Sequence, residues 1–229
     1  MPDIIIYQYE ISPFADKVRR VLKLKGLDYQ VEEVLVSSAK KWKHISPTLK
    51  FPALKYDEKV IVDSTEIISF LDKQHPSPAL IPSDIKSQAL AHILEDWADE
   101  SLYFYDLAIR SKDNNVGLLV DDLIRYEKGL TKKLFTYAIP KGAKKIAHVQ
   151  GLGRKDNATL SQEIRNHFSA INTLLLDSDY LCGPEISIAD IAIASMIYVL
   201  IRAEEPAAML PEFESVVKWR EKIDQLTLS

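Results

Sequence analysis

The sequence predicts an α/β domain followed by an all-helical domain, and three observations support this division. The first third of the 229 residues reads in the order β-α-β, an irregular segment, then β-β-α. The remainder carries apolar residues at helical spacing. A stretch rich in proline, residues 75–82, separates the two patterns. We therefore expect domains at residues 1–76 and 87–229, joined by a linker at 77–86.

In the first domain, each expected element has a local signal. Ile4-Ile5-Ile6-Tyr7 is typical of a buried strand. Ser12-Pro13 places a capping residue and a first-turn proline at the start of a helix, and Gly26 suits its left-handed end. The other expected elements follow in chain order: a parallel strand at 30–36, a hairpin at 53–56 and 60–62, and a helix at 65–73.

In the second domain, a long helix is expected to run to about Arg110. The further helices are expected at 118–137, 160–176, 188–201 and 213–226. Residues 141–157 hold three glycines and five Lys or Arg residues, and we interpret them as a loop. An anion-binding loop is the alternative, but a solvated connection is favoured because no strand precedes the glycines.

Composition excludes several classes of protein. A net charge of -4 argues against a nucleic-acid partner. Cys182 is the only cysteine, so a disulfide, a CxxC redox pair or a zinc cluster is not expected, and the chain suits a reducing cytoplasm. The longest apolar run, 191–201, is too short to span a membrane, and neither a membrane partner nor a metal is expected.

The stretch from Phe51-Pro52 to Asp63-Ser64 carries the clearest site pattern. Pro52 opens an apolar run, where a cis bond would define a local turn. Asp63 and Glu66 form a D-x-x-E box, so free N–H groups near Ser64 lie at the positive end of a helix. An amino-acid-like ligand would put its carboxylate on Ser64 and its ammonium against Asp63. A capping box that binds no ligand is the alternative.

Several motifs in order resemble the soluble glutathione transferase superfamily, with an omega- or zeta-like N-terminal motif. They are Ser12-Pro13-Phe14-Ala15, Phe51-Pro52-Ala53-Leu54, Asp63-Ser64, Tyr180-Leu181-Cys182-Gly183 and Ser187-Ile188-Ala189-Asp190-Ile191. The last of these also reads as a capping box by itself. The resemblance implies a thioredoxin-like first domain and glutathione as co-substrate. It further implies a cytoplasmic homodimer that conjugates glutathione to small hydrophobic electrophiles in detoxification.

The resemblance also implies roles for individual residues. Ser12 would activate the thiol, with Tyr7 as its rival, although Ser12 as a simple cap and Tyr7 as a core aromatic are the alternatives. The implied glutathione-binding residues are Ser12, Phe14, Lys50, Phe51, Pro52, Asp63 and Ser64. The implied electrophile-pocket residues are Tyr103, Tyr105 and Arg110, although an aromatic cluster at this spacing is more often part of a core, so only one or two of them are expected to line the pocket.

Serine at position 12 departs from the cysteine of omega-like members. Because Ser12 and Ala15 both lack sulfur, thiol-disulfide exchange is disfavoured. A non-catalytic scaffold and a glutathione-dependent isomerase, dehalogenase or peroxidase remain open as alternative functions.

Overall fold

The computed structural model describes residues 2–228, which divide into two compact units. The first unit contains the chain up to Leu80 together with the last residues from Asp224 onward. The second unit runs from Ile81 to Ile223. The domain boundaries inferred from the sequence stay a prediction, since they were drawn without the C-terminal residues that pack in the first unit.

The first unit is built on a four-stranded mixed sheet with the strand order β2-β1-β3-β4. β1 pairs with β2 in parallel and with β3 in antiparallel, and β3 pairs with β4 in antiparallel. This confirms the predicted α/β fold class. The elements are β1 (Ile4–Gln8), α1 (Pro13–Leu24), β2 (Gln30–Glu33), a 3₁₀ segment (Val36–Trp42), β3 (Ala53–Tyr56), β4 (Lys59–Val62) and α2 (Ser64–Gln74).

The predicted ends of α1 are confirmed, whereas β2 is shorter than expected. Ser12 caps α1, and Gly26 follows it with φ 65°. β2 ends at Glu33, and Val36 begins the 3₁₀ segment instead of completing the strand. The reason lies in packing: Trp42, at the end of that segment, contacts the sheet cluster formed by Tyr7, Val34, Phe51 and Ala53.

The second unit is almost entirely helical. α3 (Ile85–Trp97) and α4 (Tyr103–Arg110) are joined by a π-helical stretch (Ala98–Leu102), so the long helix expected to end near Arg110 is confirmed. The remaining elements are α5 (Val116–Leu123), α6 (Gly129–Gln150), a 3₁₀ turn (Leu152–Arg154), α7 (Asn157–Leu174), α8 (Ile188–Leu200), α9 (Glu204–Met209), a 3₁₀ turn (Leu210–Glu212) and α10 (Glu214–Thr227). Within residues 2–228, no helix is long and apolar enough to cross a membrane.

Two expectations for this unit are wrong. The chain breaks between α5 and α6, so 118–137 is not one helix. Residues 141–150 are not a loop but the last part of α6, which passes through Pro140 and Gly142 and ends at Gly151, where φ is 117°. Buried Ala143 and Ala147 hold this part of α6 in the unit, and their packing offsets the helix-breaking tendency of the proline and the glycine.

The predicted capping box at the start of α8 is confirmed. The Asp190 carboxylate accepts hydrogen bonds from the Ser187 N–H (2.9 Å), the Ser187 hydroxyl (2.7 Å) and the Leu181 N–H (2.8 Å). It also accepts from the Trp219 indole N–H (2.9 Å), which ties α10 to α8. Burial raises the pKa of Asp190, while these donors act in the opposite direction. One carboxylate therefore joins three parts of the helical unit.

A second buried carboxylate, Asp106 on α4, is less well supplied with donors. Its Oδ1 is buried without a hydrogen-bond partner in the described chain, and its Oδ2 lies 3.9 Å from the Arg110 guanidinium. Arg110 instead donates to Asp122 at 2.5 Å, and Asp122 also accepts from Arg202. Burial raises the pKa of Asp106 to about 6, although the charge of Arg110 opposes the shift.

Asp106→Asn is expected to stabilise the protein at pH 7.5. The pKa of Asp106 is higher in the folded than in the unfolded state, so the stability that Asp106 contributes is fully present below pH ~4 and is lost as the pH rises through ~6. This loss is at most about 3 kcal/mol. The free energy of unfolding, measured by urea denaturation, should rise by ~1–3 kcal/mol in the variant at pH 7.5, and this gain should vanish near pH 4.

The matched control is Asp122→Asn in the same cluster. It removes the carboxylate that pairs with Arg110 and Arg202, so it should destabilise by ~3–5 kcal/mol at pH 7.5. An equal effect of Asp106→Asn at both pH values would contradict the assignment of the titration to Asp106.

Candidate functional site

The pairing register of the sheet brings the predicted site segments to one edge. Tyr7 of β1 lies opposite Ala53 of β3, and Ala53 lies opposite Val62 of β4. The segment that follows β1, the Phe51-Pro52 pair that precedes β3, and Asp63-Ser64 that follow β4 therefore leave the sheet at the same edge. A ring contact supports this placement, because the Tyr9 and Phe51 ring centroids are 5.7 Å apart.

Ser12 lies at this edge as the N-cap of α1. Its Oγ accepts a hydrogen bond from the Ala15 N–H at 3.4 Å, which is long for a capping bond. A serine hydroxyl has one proton to donate in addition to its acceptor lone pairs. Accepting from Ala15 leaves the Ser12 proton available, so capping and donation to a ligand anion are compatible roles for one hydroxyl.

Asp63 and Ser64 form the start of α2. Asp63 has φ 77° and its Oδ1 accepts from the N–H groups of Thr65 (3.0 Å) and Glu66 (3.3 Å). With ψ 130° as well, this backbone lies outside the left-handed helical region, and strained conformations of this kind are enriched at functional sites. The Asp63 side chain is exposed. Ser64 is the first helical residue, and in the described chain no partner accepts from or donates to its hydroxyl.

The Phe51-Pro52 peptide bond is cis, the form for which the sequence predicts a local turn. The turn before it is held by Ser46, which is fully buried and donates from its hydroxyl to the Lys50 carbonyl at 2.7 Å. Leu49, with φ 58°, allows this turn. Phe51 and Pro52 are buried, whereas the Lys50 side chain is exposed at the edge. Ser46 is a positioning residue that sequence reasoning missed, since an isolated serine in a loop gives no signal.

Tyr7 points to the side of the sheet covered by the 3₁₀ segment. Its side chain is 7% exposed and its ring centroid lies 5.1 Å from that of Trp42. Val34, Phe51 and Ala53 complete the surrounding cluster. These contacts favour the interpretation of Tyr7 as a core aromatic over that of a thiol-activating phenol.

The electrostatics of the edge favour an anion. Two helices begin there, and the free N–H groups at each start carry partial positive charge. α1 and α2 are linked near their N-termini by Lys17, a fully buried lysine whose Nζ donates to the Thr65 hydroxyl at 3.4 Å. Exposed Asp63 adds one negative group for a ligand ammonium. This arrangement suits a peptide-like ligand that carries both charges.

Phe14, the remaining predicted glutathione-binding residue, is half-buried in the first turn of α1.

The predicted electrophile-pocket residues all lie on α4 in the second unit. Tyr105 donates from its hydroxyl to Glu163 at 3.0 Å, and burial together with this carboxylate raises the pKa of Tyr105 to about 12. Burial raises the pKa of half-buried Tyr103. Arg110 is 2% exposed and paired with Asp122, so a contact with substrate would require this ion pair to open. A pocket role for the three residues stays a prediction.

Two family models match the chain. Residues 6–79 match the N-terminal domain of glutathione S-transferase, and residues 154–226 match its C-terminal domain. Together the two ranges cover more than half of the chain, and the first contains all the predicted glutathione-binding residues.

Curated relatives match the N-terminal part most clearly. Glutathione S-transferase Z2 of Arabidopsis thaliana is 40% identical over 89 residues, which cover 37% of this chain and 40% of the relative. Maleylacetoacetate isomerase of Mus musculus is 32% identical over 98 residues, which cover 40% of this chain and 45% of the relative. The chain thus matches less than half the length of these relatives.

Solved structures agree over nearly the full chain. The β-etherase LigF of a Sphingobium strain superposes with a TM-score of 0.70 at 21% identity, covering 96% of this chain and 94% of that one. FzlA of C. crescentus superposes with a TM-score of 0.69 at 20% identity, covering 97% and 88%. At these identities the likeness establishes the fold alone.

Proposed function

Because this chain belongs to the glutathione transferase superfamily, we propose that it binds glutathione at the sheet edge described above and adds the glutathione thiolate to a small hydrophobic electrophile. The observation that carries the proposal is the register Tyr7–Ala53–Val62, which brings Ser12, Phe51-Pro52 and Asp63-Ser64 to one edge. Each segment offers a different kind of contact to a tripeptide.

In this proposal, the ligand is held by backbone and charge together. A γ-glutamyl carboxylate binds the N–H and hydroxyl of Ser64, where α2 begins, and its ammonium binds Asp63. The cysteinyl amide pairs with the backbone beside cis Pro52. The Lys50 ammonium and Phe14 contribute at the rim, since Lys50 is exposed and Phe14 is half-buried.

Ser12 is the proposed activating group. A free thiol has a pKa of about 8.5, so only a few per cent is thiolate at neutral pH. The Ser12 proton, which the Ala15 capping bond does not use, donates to the thiolate at the positive end of α1. A pKa lowered by about two units, which corresponds to ~2.7 kcal/mol, would make the thiolate the dominant form.

The second candidate is a glutathione-dependent isomerase, and the relatives named maleylacetoacetate isomerase favour it. Both reactions begin with formation of a bond between the thiolate sulfur and an electrophilic carbon. In the isomerase, rotation about the former double bond and rupture of the same C–S bond regenerate glutathione. The two candidates therefore use the same residues of the first unit and are separated by whether a stable conjugate accumulates.

The binding proposal is tested with Asp63→Ala and Asp63→Asn. Loss of the charged partner should weaken glutathione binding by ~1–3 kcal/mol in both variants, measured by calorimetry. Asparagine keeps the cap of α2 and has nearly the shape of aspartate, so Asp63→Asn should retain the wild-type melting temperature, whereas Asp63→Ala should lower it. Unchanged affinity in Asp63→Asn would remove Asp63 from the site.

The catalytic proposal is tested with Ser12→Ala and Tyr7→Phe. Removing the hydrogen bond to the thiolate should cost ~1.5–3 kcal/mol, or about ten- to two-hundred-fold in turnover, with glutathione affinity nearly unchanged. The thiolate absorbance of the complex, followed against pH, should show a raised thiol pKa in Ser12→Ala only. A loss confined to Tyr7→Phe would assign the role to the tyrosine, and a wild type without thiolate at neutral pH would indicate a scaffold.

We also propose a cytoplasmic homodimer in which α3 contributes to the interface. The side chains of Ile85 and Ile93 on this helix are 80% and 62% exposed, although both are large and apolar. A two-fold dimer that covers such residues is the commonest closed assembly. Sedimentation at micromolar concentration should give about twice the 26.0 kDa mass of the chain, and a species of 26.0 kDa would reject the dimer.

A further inference from the structure

The stretch from Lys128 to Lys155 is strongly basic and has no part in the proposed glutathione site. It holds eight of the 29 Lys and Arg residues of the chain and none of the 33 Asp and Glu residues. The chain as a whole is acidic, so this concentration of positive charge is a local property. It covers α6 and the 3₁₀ turn that follows it.

A cavity of about 440 Å³ opens at the C-terminal half of α6. This volume lies within the range of small-molecule sites. The residues that line it come from the segment after α4, from α6 and from the 3₁₀ turn: Ser111, Lys112, Asp113, Lys144, Lys145, His148, Val149 and Gly153. All of them belong to the second unit.

Close packing defines one side of this cavity. A Cβ atom on Gly153 would lie 2.6 Å from the Ala147 carbonyl carbon and 2.7 Å from the His148 nitrogen, so only glycine permits this approach to α6. The Arg154 Nε donates to the His148 carbonyl at 3.0 Å. Lys112 crosses to the same turn and donates to the carbonyls of Gly153 and Lys155, at 3.4 and 2.5 Å.

The charges around the cavity are only partly neutralised. Lys144 pairs with the exposed carboxylate of Asp113, whose pKa it lowers. Over residues 2–228, the side chains of Lys145 and His148 have neither a hydrogen-bond nor an ion-pair partner. The Lys112 ammonium donates to carbonyl oxygens, which carry no formal charge, and its charge helps to lower the pKa of Asp113 and of Asp156. Three lysines thus line this cavity, and Asp113 is the single carboxylate among its lining residues.

We propose that this cavity is a binding site for a phosphorylated ligand that carries more than one negative charge. Lysine binds phosphate as a point charge, and hydrogen bonds between ionised partners are the stronger ones. Phosphate oxygens displace Asp113 from Lys144 and contact Lys145, while the charge of Lys112, which also lines the cavity, adds attraction. The shared chemistry is the phosphate group, supplied either by a free molecule or by a lipid headgroup.

Calorimetry with inorganic tripolyphosphate at low ionic strength tests the site. Binding to the wild type should weaken at least tenfold in the variant that carries Lys144→Gln and Lys145→Gln, since each lost charged hydrogen bond is worth about tenfold. Lys141→Gln is the matched control, because Lys141 is on the same helix but does not line the cavity. It should change affinity less than threefold.

A further variant is expected to raise the affinity for phosphate, because it removes the carboxylate that competes for Lys144. Asp113→Asn should bind tripolyphosphate several-fold more tightly than the wild type, because Lys144 no longer needs to exchange partners. The proposal is overturned if the wild type binds neither tripolyphosphate nor phosphatidylserine vesicles. It is also overturned if Lys141→Gln weakens binding as much as the double variant does, or if Asp113→Asn does not tighten binding.

A second experiment with the same variants distinguishes a free phosphorylated molecule from a lipid headgroup. Co-sedimentation with phosphatidylserine vesicles, compared with phosphatidylcholine vesicles, measures binding to a lipid surface. Tripolyphosphate binding without co-sedimentation supports the site with a free phosphorylated molecule as its ligand. Co-sedimentation that the double variant loses supports the site with a lipid headgroup as its ligand.

Discussion

The register between β1, β3 and β4 is the constraint on which the candidate site depends. A slip of one residue would turn every side chain of the slipped strand to the other face of the sheet. Fully buried Ile6 would then turn to the opposite face, and Tyr7 would leave Trp42. Because the buried positions resist such a slip, the packing of the sheet also holds Ser12, Pro52 and Asp63 at their places along one edge.

Helix starts supply the chemistry at this edge, and their local needs coincide with those of a ligand. The Asp63 Oδ1 satisfies two N–H groups of α2, yet its carboxylate remains exposed. Ser12 accepts one N–H of α1 and keeps its own proton. In both cases a residue that stabilises a helix has capacity left for binding, so capping and ligand recognition do not compete.

The helical unit illustrates how the surroundings of a carboxylate decide its effect on stability. Asp190 accepts hydrogen bonds from four donors and joins α8 to α10. Asp106 is also buried, but one of its oxygens has no partner in the described chain and the Arg110 guanidinium pairs with Asp122. Burial raises the pKa of both, and only Asp190 has a full set of donors in return.

The sequence by itself determined the elements whose signals are local: β1 from its β-branched run, α1 from Ser12-Pro13, α2 from Asp63, and α8 from Ser187 and Asp190. It also identified the segments that we propose for the glutathione site, because caps and X-Pro bonds act within a few residues. Tertiary structure alone decided that α6 continues through Pro140 and Gly142, since buried Ala143 and Ala147 outweigh local helix propensity there. It also decided that Lys112 meets Gly153 and that Ser46 holds the turn before Pro52, because such contacts depend on how distant or irregular segments pack.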